Sequence, residues 1–393
     1  MLSVPSNLIP PGMKAVHVGA PFLSTAIEEL KALNPQRVFV LANRSSTRFL
    51  EGDGKLMDEL QKMGVLAAPM CTSIGMGGGE TGLLEACDKA YKCGADCVVT
   101  VGGGAVQDAG KFVRLWLSTK SGEGATVKGI QEASSRDPMP ELPPQIAIPN
   151  SFAMAEATHV AGLTTNAKTK SGVAHPSLMP TIIIYDATIS EGLPDWVRFG
   201  TAFRGVEHAI GAITHPKAND DIRAQALNGL AILNENLNLL VENPECKIVQ
   251  SNVYVGGFIS VRALNRGCYP ALGHLIENHY SARFDVHQGS CSGIMCARMM
   301  HYHRENSKEY QDRISAVFGD ASVPAPRLIR DLAAKLPGVS KNHNDENVTD
   351  EMLKEFSRWE FDNHIARLNQ LSPKEFRTAD DIYGMLAEPL EKL

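Results

Sequence analysis

Apolar, β-branched-rich runs recur through the first half of this chain and then stop. They are RVFVLAN (Arg37–Asn43), GVLAAPM (Gly64–Met70), CVVTVGGG (Cys97–Gly104), QIAIPNS (Gln145–Ser151) and TIIIYDA (Thr181–Ala187). Such near-continuous runs read as strands buried on both faces, the habit of parallel sheets. Helical patterns such as ETGLLEACDKAYKCGA (Glu80–Ala95) fall between them. Strand–helix alternation of this kind implies a parallel sheet with helices on both faces. From DWVRFGTAFRGVEHAIGAI onward the chain shows long amphipathic helical patterns, broken at THPKAND, NPEC, SVPAP and LPGVSKNHNDENV by turn-forming residues. The expectation is a Rossmann-like α/β domain over residues 1–188 and an all-helical domain over 189–393, with the active site in the cleft between them.

The length of 393 residues agrees with two domains. A net charge of −6, with no Lys/Arg block interleaved with aromatics, gives no footprint for nucleic acid. No basic n-region followed by an apolar stretch opens the chain, and no apolar run reaches membrane-spanning length. The eight cysteines are scattered without a CxxC pair, which reads as reduced thiols in a cytoplasmic enzyme rather than a disulfide framework.

VTVGGGAVQDAGK (Val99–Lys111) is the most specific motif in the first half. Three glycines at the end of a strand let backbone pass close to a ligand. The helix that follows points its free N–H groups and positive dipole end at the same place, which suits a pyrophosphate. This motif is neither GxGxxG nor a P-loop, since no GK[ST] follows. In the second half, Arg204 and His208 stand four residues apart in FRGVEHAIGAI, one turn apart on one helix face. A guanidinium offers no lone pair, so Arg204 cannot ligate a metal.

VGGGAVQDAGK resembles the GGGSxxDxAK signature of the iron-containing alcohol dehydrogenase family, which includes the maleylacetate reductases and shares the dehydroquinate synthase fold. IAIPNSFAMAEAT is similar to the family's IPTTxSGTE segment. TKSGVAHPSLMPTIIIYDATI resembles the stretch carrying its nucleotide-facing lysine. FRGVEHAIGAI and GCYPALGHLIENHYSARFDVHQGS resemble the two metal-site segments. The resemblance implies that Gly102, Gly103, Gly104 and Asp108 lie around the pyrophosphate and nicotinamide ribose of a dinucleotide, with Asn150, Ser151 and Lys170 lining the same cleft. At the end of the first such strand, Asn43 is followed by Arg44 where many members have an acidic residue. An arginine there can pair with a 2′-phosphate, so NADPH is expected over NADH.

Metal-dependent members hold Fe²⁺ or Zn²⁺ through one aspartate and three histidines. Carried onto this sequence, those positions are Arg204, His208, Pro270 and His287. Two ligands are missing and one replacement is a cation, so no catalytic metal is expected. Arg204 with protonated His208, His274 or His287 would then polarise the accepting oxygen and supply the proton. The function implied is a metal-independent NAD(P)H-dependent reductase, resembling maleylacetate reductase. Its substrate would be an unsaturated keto acid or related carbonyl compound, carboxylate-bearing or enolisable, with specialised metabolism as one setting. The alternative keeps the scaffold without net redox chemistry: a lyase, dehydratase, isomerase or cyclase using Arg204 and the histidines as acid–base groups. A catalytically inactive binding homologue is a third reading. Helical C-terminal domains of this type often form homodimers, although nothing in the sequence fixes the oligomer.

Overall fold

The computed structural model describes residues 1–75, 78–119, 122 and 124–392. The chain divides into two compact units, Met1–Gly192 and Leu193–Leu393.

The first unit holds strands β1 (Ala15–Val18), β2 (Val38–Ala42), β3 (Cys97–Gly102), β4 (Gln145–Pro149), β5 (Val160–Thr164), β6 (Lys170–Ala174) and β7 (Ile182–Tyr185). Its helices are α1 (Phe22–Leu33), α2 (Thr47–Leu50), α3 (Leu56–Lys62), α4 (Glu80–Lys92), α5 (Gly104–Thr119) and α6 (Val127–Ser134). The main sheet is parallel, in the order β1-β7-β4-β3-β2. Every residue of β2, β3, β4 and β7 is buried, which is why their sequences run apolar without alternation.

Two expectations need correction here. GVLAAPM is not a strand: it meets β2 at one isolated bridge, Val38↔Leu66, and Cys71 just beyond it makes another with Leu41. Pro69 removes a donor and the run is largely half-buried, so it shields the edge strand β2 instead of extending the ladder. The second correction is the antiparallel hairpin β5–β6, which the apolar pattern did not announce. Gly162 and Gly172 face each other across it, and a Cβ on Gly172 would lie 2.8 Å from the Ala161 carbonyl oxygen.

The second unit is helical among its described residues: α7 (Asp195–Thr214), α8 (Asp220–Glu242), α9 (Lys247–Leu264), α10 (Leu272–Phe284), α11 (Gln288–Tyr302), α12 (Lys308–Val317), α13 (Ala325–Lys335), α14 (Asp350–Leu371) and α15 (Ala379–Leu386). α7 is buried almost all round. Small residues let its neighbours approach. A Cβ on Gly211 would meet that of Ala271 at 2.7 Å, and one on Gly289 would lie 2.4 Å from the Gly200 carbonyl carbon. The first approach seats the start of α10 on α7, and the second seats the start of α11. No described helix is long and apolar enough to cross a membrane, and all eight cysteines are free thiols.

Candidate active site

Parallel pairing brings three strand ends together in the first unit. Ala42 pairs with Val101, and Gly102 with Pro149. Asn43, Gly102–Gly104 and Asn150–Ser151 therefore emerge side by side at the carboxyl edge, where open α/β sheets bind ligands. The Asn150 amide donates to Ser46 Oγ at 3.0 Å and to Asn43 Oδ1 at 3.4 Å, while its backbone N–H donates to the Gly102 carbonyl at 3.1 Å. Gly102 admits no side chain, since a Cβ would sit 2.4 Å from Asn43 Oδ1. A Cβ on Gly103 would lie 3.3 Å from Ser151 Oγ. α5 begins at Gly104, with its first turn behind this glycine run.

Asp108 and Lys170 sit differently from the rest. Asp108 spends its carboxylate inside the protein, accepting from the Gly162 N–H at 3.0 Å and from Lys111 Nζ at 3.1 Å. Lys170 lies on the hairpin, donating to Thr164 Oγ1 at 2.8 Å. Lys111 is fully buried and donates to the carbonyls of Ala155 and Val160, each at 2.6 Å. It ties α5 to the β4–β5 connection. Glu156 escaped the sequence reading: burial pushes its carboxyl up to about 7, and the Tyr185 hydroxyl donates to it at 3.0 Å. Arg44 is exposed on a 3₁₀ turn, and no ion pair is found for it among the described residues.

In the second unit, α7, α10 and α11 gather charge in an apolar interior. Arg204, Glu207 and His208 come from α7, and His274 and Glu277 from α10; all five are buried. Glu207 Oε2 lies 3.7 Å from His208 Nε2 and 3.6 Å from His274 Nδ1. Arg204 Nη1 lies 3.7 Å from Glu277 Oε2. Ser292 donates to that same oxygen at 2.8 Å, and the Tyr269 hydroxyl meets His274 Nε2 at 3.0 Å. Much of the cluster's hydrogen-bonding capacity is unspent. Among the described residues no partner is found for Arg204 Nη1, Glu207 Oε2, His208 Nδ1, His274 Nδ1 or Glu277 Oε1. Buried polar atoms without partners are costly, so this concentration marks a place built for an incoming polar group. A cavity of about 60 Å³ reaches Glu207 and Glu277 between Leu272, Met299 and His303, enough for about four waters.

The two carboxylates are driven apart. Burial raises both, but the histidines and Arg204 around Glu207 outweigh burial and hold it low. Burial and the neighbouring Glu207 charge push Glu277 well up. Glu207 is thus the anion and Glu277 the proton carrier. Of the three histidines expected as proton donors, two are disfavoured in that role by their burial. Burial, with Arg204 adding to it, lowers His208 to about 3 and His287 to about 4, so both are neutral at physiological pH. That leaves Arg204 as the fixed cation of the cluster.

His287 stands apart from the Glu207 group. It caps α11, Nδ1 accepting from the Gly289 N–H at 3.2 Å, and packs edge-on against Trp196. Three of the four residues standing in the family's metal positions do not fit a metal. Arg204 has no lone pair, Pro270 has no donor, and His287 Nδ1 is already an acceptor. The sequence reading missed a different trio: Glu207, His208 and His274 offer ligand atoms within 4.8 Å of one another. Glu207 carried a legible signal. Residues 198–210 of α7 are all buried, and their sequence is mostly apolar or small, so a charge among them is buried with the stretch.

Models of two families match. The iron-containing alcohol dehydrogenase model covers residues 14–187, and that of the C-terminal Fe-containing alcohol dehydrogenase domain covers 201–387. Maleylacetate reductase of Burkholderia cepacia is 24% identical over 64% of this chain and 63% of the relative. That of Rhizobium sp. (strain MTP-10005) is 27% identical over 58% of this chain and 56% of the relative. The matched segment thus spans less than two thirds of these curated relatives. Among solved structures, maleylacetate reductase from Rhizobium sp. strain MTP-10005 superposes with a TM-score of 0.75 at 20% identity, covering 95% of each chain. NADH-dependent butanol dehydrogenase A from Thermotoga maritima does so with a TM-score of 0.81 at 18% identity, covering 96% of each.

Proposed function

This chain belongs to the iron-containing alcohol dehydrogenase family, and on that premise we propose that it is an NADPH-dependent reductase of an unsaturated keto acid or related carbonyl compound, working without a catalytic metal. The reading rests on Arg204: a buried guanidinium whose Nη1 makes no hydrogen bond among the described residues, at the position where the resemblance puts a metal-binding aspartate. When bound, the dihydronicotinamide would supply a hydride to the acceptor carbon, leaving the electron pair of the reduced bond on the substrate oxygen. A fixed cation that needs no reorganisation stabilises that developing charge.

The other residues divide the remaining work. His274, held through Nε2 by Tyr269, presents Nδ1 to the reacting oxygen and passes a proton to it. Glu207, the anion 3.6 Å from His274 Nδ1, orients that ring. Glu277, the protonated carboxyl, is the internal reservoir. The glycine turn of the first unit, with Asn43, Asn150 and Ser151, holds the pyrophosphate, and Arg44 pairs with the 2′-phosphate.

The alternative without net redox chemistry has one observation in its favour. A carboxylate and a carboxylic acid placed together are the parts of an acid–base lyase or isomerase. Chelator-treated protein incubated with NADPH and a panel of keto and enoyl acids, maleylacetate included, separates the readings. Loss of dihydronicotinamide absorbance that withstands chelation supports the metal-free reductase. Substrate conversion without NADPH consumption establishes the non-redox reading. Activity restored only by Fe²⁺ or Zn²⁺ and lost in Glu207→Gln overturns metal independence and assigns the metal to the Glu207 trio.

A further inference from the structure

A second convergence of metal-ligating side chains lies elsewhere in the helical unit, between α10 and α14. Glu360 and His364 stand one turn apart on α14, so their side chains share a face, and His279 reaches them from α10. The ligand atoms of the three lie within 4.8 Å of one another. His279 Nδ1 is 2.7 Å from Glu360 Oε1, and the rings of His279 and His364 lie 4.3 Å apart, tilted by 31°. Trp359 closes one side, edge-on to both rings.

Two observations take this beyond an ordinary buried pair. Glu360 is completely buried, yet its Oε2 has no hydrogen-bond partner among the described residues. His364 Nε2 is likewise buried without one, although the residue itself is half-exposed. One carboxylate oxygen and one imidazole nitrogen are therefore left over in the same small space. Neither the dinucleotide site nor the Arg204 cluster uses these residues.

We propose that His279, Glu360 and His364 form a Zn²⁺ site that clamps α10 to α14. Two imidazoles and one carboxylate are a donor set that suits zinc, with water as the fourth ligand. In a tetrahedral site neighbouring ligand atoms lie about 3.3 Å apart, given zinc–ligand bonds of about 2.0–2.1 Å. The metal takes the place of the proton shared by His279 Nδ1 and Glu360, and side-chain rotation brings His364 the remaining distance. The half-exposed face of His364 is the way in. Because α10 also carries His274 and Glu277, zinc here would fix the helix that presents them without touching substrate.

The test is a Zn²⁺ titration of chelator-stripped full-length protein against a chromophoric zinc chelator, repeated with His364→Ala, Glu360→Gln and His208→Ala. The expected result is one equivalent bound, weakened by roughly 100-fold or more in His364→Ala and Glu360→Gln and retained in His208→Ala. Co²⁺ gives a second readout that does not depend on the burial of Glu360. Bound beside Trp359 it quenches that emission, and His364→Gln abolishes the quenching. No stoichiometric zinc in the parent protein overturns the proposal. So does zinc that survives His364→Ala, or that disappears with His208→Ala alone.

Discussion

The glycine turn of the first unit and the Arg204 cluster of the second solve opposite problems. At the turn, Asn150, Asn43 and Ser46 bond one another and the backbone, and Gly102 leaves no room for a Cβ. Its ligand is met by a finished surface. In the Arg204 cluster five buried polar atoms have no hydrogen-bond partner among the described residues, and two carboxylates are pushed in opposite directions. The first arrangement is suited to holding a molecule still. The second keeps free energy in reserve for an atom that acquires charge only during reaction.

The largest expected effect is on stability in acid, and it separates the two units. His208 at about 3 and His287, His303 and His343 at about 4 all belong to the helical unit. Each is neutral when folded and takes up a proton near its ordinary value of about 6.5 when unfolded. Their contribution is therefore complete above about pH 6.5 and is lost as pH falls toward about 4. At pH 5 the loss is at most about 2 kcal/mol for each. Glu156 in the α/β unit has the opposite sign: raised to about 7, it stabilises at low pH and loses that contribution as pH rises through 7. Melts followed through Trp116 in the first unit and Trp196 in the second should show the helical unit failing first below pH 6. Equal acid sensitivity in both would break the comparison.

Next in size is Arg204→Met, which should lower kcat/KM roughly 10²–10³-fold and leave NADPH binding within about twofold. A loss confined to KM would mean that Arg204 only binds the substrate. Gly102→Ala should do the reverse. Its Cβ meets Asn43 Oδ1 and Val106, an overpacking that costs about 1–3 kcal/mol, read as weaker NADPH binding in a fluorescence titration and a lower Tm. Arg44→Ala is the mildest, about fivefold weaker NADPH binding with NADH unchanged, since an exposed charge pair contributes at most about 1 kcal/mol. An equal loss for both nucleotides would remove Arg44 from 2′-phosphate recognition.

What could be read in the sequence follows the same division. Strand runs, glycine turn and helix start are backbone chemistry, and backbone chemistry is local. β2, β3, β4 and β7 were therefore visible as apolar stretches, whereas β5–β6, built round two facing glycines and carrying no apolar run, was not. Arg204 and His208 stood out by their spacing and His274 by resemblance, but Glu207 and Glu277 did not, because neither spacing nor resemblance supplied a role for them. Their meaning depends on α10 lying against α7, and that contact is permitted by Gly211 and Ala271, which look unremarkable in sequence. The same limit hid the neutrality of His208 and His287: burial is a property of the packed helices.

Lys111 has a dynamic consequence. Its ammonium sits in a fully buried pocket, bonded to Asp108 on its own helix and to the Ala155 and Val160 carbonyls across from it. Burial lowers its proton affinity, so this is an expensive charge whose cost is offset only while all these contacts hold. A small separation of the β5–β6 hairpin from α5 would take away the Val160 carbonyl before the gap could admit water in its place, so no half-open intermediate is cheap. Amide hydrogens in α5, in residues 155–160 and in the hairpin should therefore exchange with one common opening free energy, as a single cooperative unit.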